Sequence, residues 1–246
     1  MASAEIERLQ FGHRTVHVFD SLSDASAAVA TEIISLIEGL LSVKRTCTVA
    51  LSGGSTPREL YSILSSDYRE RDCWKYVTFL LVDERLVPES DDASNAGMIR
   101  KLLIQPLGLK DEQFLHPNTS LAHDECTYSY AAKLTMRMGE TPSIDLILLG
   151  MGADGHTASI FPPAVSTEGS DPIVIATTAP VQPQDRISIT MQTINRASCV
   201  LFLVAGQDKE RALKQVFKDN MLLPAARVVA QDETAFFIDR KAFPPS

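Results

Sequence analysis

Predicted strands and helices alternate along almost the whole chain, and this alternation constrains the fold more than any other feature. The block at residues 144–149 is almost wholly apolar, which is typical of a strand buried on both faces of a parallel sheet. The pattern predicts an open, mostly parallel, Rossmann-like α/β sheet with helices on both faces. Strands are predicted at residues 14–19, 46–51, 76–82, 144–149, 173–178, 186–190, 199–205 and 234–238, and helices at residues 24–41 (with Ser23 as N-cap), 93–104, 123–138, 191–195, 209–219 and 224–228, besides a short helix that begins at Pro57.

The composition argues against several classes of protein. Hydrophobic residues make up 45% and charged residues 22% of the 246 positions, which is typical of a globular chain. No repeat or linker divides the sequence, so we expect a single domain over residues 1–246. No apolar run approaches the roughly 20 residues of a membrane-spanning helix. The 23 basic and 31 acidic residues give a net charge of −8, which opposes binding to nucleic acid.

Cellular location and redox state also follow from the pattern of residues. The first ten residues contain two glutamates and no apolar stretch, which disfavours a secretory signal and predicts a cytoplasmic protein. The four cysteines are widely spaced and form no CxxC pair, so we expect reduced thiols. No HxH motif and no larger Cys–His cluster is present. We therefore expect that the protein needs neither a metal nor a cofactor. Separately, we expect a monomer rather than an obligate oligomer.

A glycine-rich turn follows the predicted strand at residues 46–51. Parallel α/β sheets bind ligands at the carboxyl ends of their strands, and this turn reads SGGSTP. Its glycines allow backbone N–H groups to approach a ligand, and the helix that follows attracts anions. The turn predicts a phosphate site at Gly53, Gly54, Ser55 and Thr56; the alternative is a tight turn in which Ser55 or Thr56 serves as an ordinary N-cap. A GxxxxGK[ST] loop is absent, so nucleoside triphosphates are not indicated.

His156 is the strongest candidate for a catalytic residue. It follows the most apolar strand, within GMGADGH, and an imidazole pKa of about 6.5 suits a general base near neutral pH. Asp154, two positions earlier, is placed to orient the ring or to contact substrate. The alternative is a structural histidine. GMGADG also satisfies the dinucleotide fingerprint GxGxxG, but Pro162 and Pro163 interrupt the helix that this fingerprint requires, so we do not expect NAD binding.

Two cations follow other predicted strands. Arg85 lies in the sequence DER after the strand at residues 76–82, and Lys209 lies in GQDK after the strand at residues 199–205. Because both strands end at the same edge of the predicted sheet, the two side chains are expected to bind one phosphate. The alternative for each is solvated surface charge.

Several motifs together resemble the glucosamine-6-phosphate isomerase/6-phosphogluconolactonase family. They are LSGGSTP at 51–57, VDERLVP at 82–88, SNAGMIR at 94–100, LGMGADGHTASIFP at 149–162, DRISIT at 185–190 and AGQDK at 205–209. The resemblance spans nearly the whole chain. It implies hydrolysis of the phosphosugar lactone 6-phospho-D-glucono-1,5-lactone to 6-phosphogluconate, in the oxidative pentose phosphate pathway.

The resemblance also implies roles for residues. His156 would activate water, assisted by Asp154; Gly53, Gly54, Ser55 and Thr56 would hold the substrate phosphate; Arg85, Lys209 and Arg186 would neutralise it; and Asp83 would bind a hydroxyl or brace its loop. In the deaminases of the family, the loop that carries the histidine resembles DGHIAFNEP. It has a glutamate at the position where this chain has Phe161. This difference favours the lactonase. The alternatives are a hexosamine-phosphate deaminase or isomerase and a sugar-phosphate sensor without catalysis.

Overall fold

A computed structural model describes residues 5–163 and 172–243 of the protein. The described residues form a mostly parallel main sheet with helices on both faces, which confirms the predicted fold class. Three of the predicted strand and helix ranges, 14–19, 123–138 and 191–195, match the structure at both ends. The strands are β1 (Glu7–Phe11), β2 (Arg14–Phe19), β3 (Cys47–Leu51), β4 (Val77–Leu81), β5 (Asp83–Arg85), β6 (Phe114–Leu115), β7 (Leu146–Leu149), β8 (Val174–Thr178), β9 (Asp185–Ile189), β10 (Cys199–Val204) and β11 (Glu233–Asp239).

Most of the helices lie close to where the periodicity placed them. None of the helices in the described ranges is long and apolar enough to cross a membrane. Residues 72–76, 111–113, 207–209 and 224–227 form 3₁₀ turns rather than α-helices. The α-helices are α1 (Leu22–Leu41), α2 (Arg58–Ser66), α3 (Asn95–Ile99), α4 (His123–Met138), α5 (Met191–Asn195) and α6 (Glu210–Val216).

The order of strands in the main sheet locates the crevice at which a sheet of this kind can bind a ligand. The eight strands run β1-β2-β11-β10-β7-β3-β4-β6, and every neighbouring pair is parallel except β1 with β2. From β3 the chain proceeds to β4 and β6 on one side, whereas from β7 it proceeds to β10 and β11 on the other. This reversal between β3 and β7 is a topological switch point, where the outgoing turns separate and leave a crevice. The glycine turn follows β3, and the turn carrying His156 follows β7.

The core consists of two apolar layers, one on each face of the main sheet. Successive residues of β7 alternate between the layers, with Leu146 and Leu148 on one face and Ile147 and Leu149 on the other. Helices α1 and α2 cover the first face, and α4, α5 and α6 contribute to the layer on the second. Burial on both faces explains why β7 reads as an unbroken apolar run.

A second, antiparallel sheet corrects the expectation of one sheet throughout. Strands β8 and β9 were expected to belong to the parallel sheet, but they form a hairpin whose inner strand pairs with β5 in the order β5-β9-β8. The residues of β5 are Asp83, Glu84 and Arg85, which we expected to form the outgoing turn of β4. They instead continue as a strand because β9 offers them an antiparallel partner in which Arg85 lies opposite Arg186.

Two helix predictions are also wrong in detail. The N-cap of α1 is Ser21, whose hydroxyl accepts a hydrogen bond from the backbone N–H of Asp24 at 3.2 Å. Ser23, the expected cap, instead donates to Glu59 at 2.6 Å, so it joins α1 to α2. The helix predicted at residues 93–104 begins at Asn95 and changes to a π-helical turn at residues 100–104.

Candidate active site

A cleft of about 280 Å³ lies at the switch point between β3 and β7. All of the substrate-binding residues named from the sequence line it, together with His156, whereas Asp154 lines a different cavity. A larger groove of about 880 Å³ near Lys44 and Tyr76 contains none of these residues. The predicted residues that line the cleft are Gly53, Gly54, Ser55, Thr56, Asp83, Arg85, His156, Arg186 and Lys209.

The turn after β7 holds His156 in a defined orientation. The backbone N–H of Gly152 donates to the carbonyl of His156 at 2.9 Å, which closes the turn. Nδ1 of His156 lies 2.6 Å from Oδ1 of Asp154, which also accepts the backbone N–H of His156 at 3.1 Å. Because a carboxylate only accepts hydrogen bonds, Nδ1 carries the proton and Nε2 of the neutral ring carries the lone pair. The side chain of His156 is 34% exposed and lines the cleft.

Two neighbours shape the space around the imidazole. A Cβ atom at Gly152 would overlap both the His156 ring and the carboxylate of Asp154, so only glycine leaves room for this pair. On another side, the ring of Phe161 lies with its centroid 4.9 Å from that of His156, at an angle of 49°. Phe161 therefore places an apolar ring, rather than a carboxylate, beside the histidine at the edge of the cleft.

The start of the glycine turn is fixed by two buried hydrogen bonds of Ser52. Ser52 donates from its hydroxyl to the carbonyl of Leu148 at 2.9 Å, which ties β3 to β7, and the hydroxyl of Tyr61 donates to the carbonyl of Ser52 at 2.5 Å. Gly54 has a φ of +93°, a conformation that residues with a side chain rarely adopt. Helix α2 is capped by Pro57 without a side-chain hydrogen bond, so the hydroxyls of Ser55 and Thr56 do not serve as its cap.

Two guanidinium groups meet beside this turn. Arg85 on β5 and Arg186 on β9 are cross-strand partners, and both line the cleft. Arg186 is 7% exposed, and its burial and the neighbouring Arg85 lower its pKa from the usual value. Its Nε donates to the carbonyl of Pro183 at 2.8 Å, while Nη1 of Arg85 donates to the carbonyl of Ala93 at 2.5 Å. Each group thus has only part of its donor capacity used by the hydrogen bonds found in the described residues.

Lys209 and Asp83 complete the polar lining. Nζ of Lys209 lies 2.8 Å from Oδ2 of Asp208, and this hydrogen bond lowers the pKa of the aspartate. Asp83 is buried, and its Oδ2 accepts a hydrogen bond from the hydroxyl of Ser159 at 2.6 Å. Ser159 belongs to the segment that carries His156, so this bond links that segment to β5.

Some residues of the cleft were not singled out from the sequence. Asn95 lies in the quoted motif SNAGMIR, and Ser159 lies in the motif that contains His156, but neither was given a role. Val181, in the turn between β8 and β9, lines the cleft although it is 65% exposed. Its position depends on the hairpin that the sequence did not reveal. Within residues 5–163 and 172–243, no cluster of three His, Cys, Asp or Glu side chains suited to a metal ion is found.

Comparison with known proteins agrees with this arrangement. The model of the family described as glucosamine-6-phosphate isomerases/6-phosphogluconolactonase matches residues 20–237. The chain belongs to this family. Among curated relatives of the family, a 6-phosphogluconolactonase of Treponema pallidum is 33% identical over 206 residues, which cover 82% of this chain and 84% of the relative. One from Synechocystis is 35% identical over 204 residues, covering 79% and 82% of the two chains.

A solved structure from the same family has the same architecture. The crystal structure of 6-phosphogluconolactonase from Thermotoga maritima superposes with a TM-score of 0.83 at 30% identity, covering 92% of this chain and all of the other. The predicted family resemblance is therefore confirmed in sequence and in fold.

Proposed function

We propose that the protein hydrolyses 6-phospho-D-glucono-1,5-lactone to 6-phosphogluconate, with His156 as the general base. The observation that carries the proposal is the cleft itself, in which an oriented imidazole with a basic Nε2 faces the same space as a glycine turn and two paired arginines. The names of the relatives support this reaction as an enzymatic step of the pentose phosphate pathway.

The proposed reaction begins with a water molecule next to Nε2 of His156. The imidazole takes a proton from this water as its oxygen attacks the lactone carbonyl carbon, and Asp154 stabilises the imidazolium that forms. The tetrahedral intermediate collapses with cleavage of the bond between the carbonyl carbon and the ring oxygen. The imidazolium returns its proton to that oxygen, which becomes a hydroxyl group, and the new carboxylic acid ionises in water. The base is thereby regenerated.

Binding of the distant phosphate positions the lactone for this attack. In the proposal, the backbone N–H groups of the glycine turn and the side chains of Arg85, Arg186 and Lys209 bind the phosphate dianion. Binding energy from a group that does not react holds the carbonyl beside the water. Asp83 has one oxygen engaged by Ser159, and its other oxygen is proposed to accept a hydrogen bond from a sugar hydroxyl.

Phe161 favours the lactonase over the deaminase activity of the same family. The deaminases of the family have a glutamate for ring opening five residues after the histidine, and this chain has Phe161 at that position, with its ring packed against His156. Lactone hydrolysis requires no such acid, since one oriented base accelerates it by about 10²- to 10⁴-fold. The cleft also places no carboxylate other than Asp83 among its lining residues in the part of the chain that is described.

The test is a pH-stat assay on freshly prepared lactone, corrected for spontaneous hydrolysis. Wild type is expected to accelerate ring opening, and His156→Ala is expected to lose the acceleration while still binding 6-phosphogluconate. Release of ammonia from glucosamine 6-phosphate would instead support a deaminase. Tight binding of 6-phosphogluconate without acceleration by wild type would support a sensor. Either result would overturn the proposal.

The remaining expectations concern the state of the protein in the cell. We propose that it acts as a cytoplasmic monomer that binds no nucleic acid, in keeping with its net charge of −8. Sedimentation of the purified protein tests the monomer. Retention on immobilised DNA at physiological salt would contradict the expectation for nucleic acid.

A further inference from the structure

Asn95 is a buried polar residue in the cleft wall that the proposed mechanism does not use. It is 1% exposed and lies at the start of α3. Its Nδ2 donates to the backbone carbonyl of Asp83 at 2.9 Å, which fixes the orientation of the carboxamide. Its Oδ1 is buried and accepts no hydrogen bond from the described residues. A buried acceptor without a partner lowers stability, so this oxygen does not contribute to folding through a hydrogen bond.

The unpaired oxygen of Asn95 faces the glycine turn. A Cβ atom built on Gly53 would overlap the Oδ1, Cγ and Nδ2 atoms of Asn95. Gly53 does not have the positive φ found at Gly54, so a lack of space, and not backbone conformation, is what requires glycine at position 53. The turn and the carboxamide are therefore in direct contact, and Asn95 limits how closely the turn approaches β5.

The backbone of Asn95 is held firmly to β5. The fully buried carboxylate of Glu84 accepts the N–H groups of Asn95 at 2.8 Å, Ala96 at 2.7 Å and Arg85 at 2.7 Å. Burial raises the pKa of Glu84, and these backbone donors oppose that rise. Nη1 of Arg85 also binds the carbonyl of Ala93, just before α3. The start of α3 thus has a fixed position relative to the guanidinium of Arg85.

These contacts join the two halves of the proposed phosphate site. We propose that Asn95 is a positioning residue, which sets the separation between the glycine turn at residues 53–56 and the strand that carries Arg85. With this spacing, the N–H groups of the turn and the guanidinium bind the same phosphate group. The inference rests on the proposed function, since it assigns the phosphate of that substrate to this part of the cleft. It predicts an effect on phosphate affinity and none on the chemistry of His156.

The first experiment measures binding and catalysis separately in Asn95→Ala. Titration calorimetry with 6-phosphogluconate is expected to show a Kd raised by about tenfold or more, because small displacements of binding groups are costly. KM for the lactone is expected to rise in parallel, while the pH dependence of kcat stays as in wild type. An unchanged Kd, or a changed pH dependence of kcat with unchanged KM, would overturn the inference.

Asn195 offers a matched control outside the cleft. Its side chain also bridges backbone groups, donating to the carbonyl of Arg227 at 3.0 Å and accepting the N–H of Val229 at 3.0 Å. Asn195→Ala is expected to lower the melting temperature without changing the Kd for 6-phosphogluconate. An equal rise of Kd in both variants would show that Asn95 acts only through stability, which contradicts a positioning role.

Gly53→Ala provides a second route that does not depend on the folding of Asn95→Ala. The added methyl group displaces the carboxamide, so this variant is expected to bind 6-phosphogluconate more weakly than wild type. Adding Asn95→Ala to it removes the overlap, and we expect the pair to bind no more weakly than Gly53→Ala alone. Strictly additive losses would refute the spacing argument. Failure of wild type to open the lactone would refute only the proposed function, because the titrations require binding and not turnover.

Discussion

Gly152→Ala tests the geometry of the proposed base without altering the base. The new methyl group would overlap Nδ1 and Cε1 of His156 and Oδ1 of Asp154. The ring must then rotate away and lose its 2.6 Å contact with the aspartate. Position 152 has no positive φ, so alanine causes no backbone strain there. The substitution therefore acts on the orientation of the imidazole.

The size of the effect follows from what an oriented base contributes. General-base catalysis supplies about 10²- to 10⁴-fold, and a misplacement of about 1 Å can remove about 10²-fold. We expect kcat of Gly152→Ala to fall by about 10²-fold or more, equivalent to at least about 2.7 kcal/mol in the barrier. The Kd for 6-phosphogluconate should stay close to that of wild type, because the residues proposed to bind the phosphate lie outside the turn that carries Gly152 and His156.

The assay is lactone hydrolysis in a pH-stat, paired with circular dichroism to verify folding. Gly150→Ala is the control: it lies two positions earlier and also lines the cleft, but its methyl group would meet no atom within 4 Å. A Gly152→Ala enzyme that is folded and retains wild-type kcat would refute the reasoning, since the base would then not need the orientation that Asp154 gives it.

Three further predictions address other parts of the molecule. Asp154→Asn should lower kcat, since an amide stabilises an imidazolium less well than a carboxylate does, and should leave the Kd for 6-phosphogluconate unchanged. The same assay and titration measure both values, and an unchanged kcat would contradict the role of Asp154. Burial disfavours the charged form of His116 and so lowers the pKa of this imidazole. The unfolded state then binds the proton more readily, and unfolding free energy from urea titrations should decrease as pH falls below about 6.5, with a shallower decrease in His116→Asn. Burial raises the pKa of all four thiols, to about 12 for Cys47 and Cys199 and to about 11 for Cys73 and Cys126. A thiol reagent at pH 8 should therefore label them only after unfolding, and rapid labelling of the native protein would contradict their burial.

The parts of the fold that were predicted correctly have strong local patterns. Helix α4 matches the predicted residues 123–138 because its buried residues recur at helical spacing, and β7 was evident from its apolar run. Strand β1 was missed because its five residues, Glu7–Phe11, are exposed or half-buried and only Leu9 and Phe11 among them are apolar. Strand β5 has only three residues, and its strand conformation depends on pairing with β9, about 100 residues later in the chain.

The candidate site shows the same division between local and distant signals. Turns after β3 and β7 were found because glycine, hydroxyl and imidazole groups follow apolar strands in the sequence. The role inferred for Asn95 was not visible there, since it depends on contact between a residue of α3 and a turn more than 40 positions earlier. Contacts of this kind follow from the strand order, which no local pattern specifies.

The pairing of β5 with β9 explains how the cleft gains its positive charge in an acidic protein. Like charges on directly opposed residues of an antiparallel pair are destabilising, and burial of Arg186 adds to the penalty. An apolar pair at these two positions would give a more stable sheet. The arginines are therefore best explained by a ligand that carries at least two negative charges, which offsets their repulsion when it binds. A phosphate monoester has this charge near neutral pH, whereas a neutral sugar lactone does not, so the same pair that weakens the small sheet favours the phosphorylated substrate.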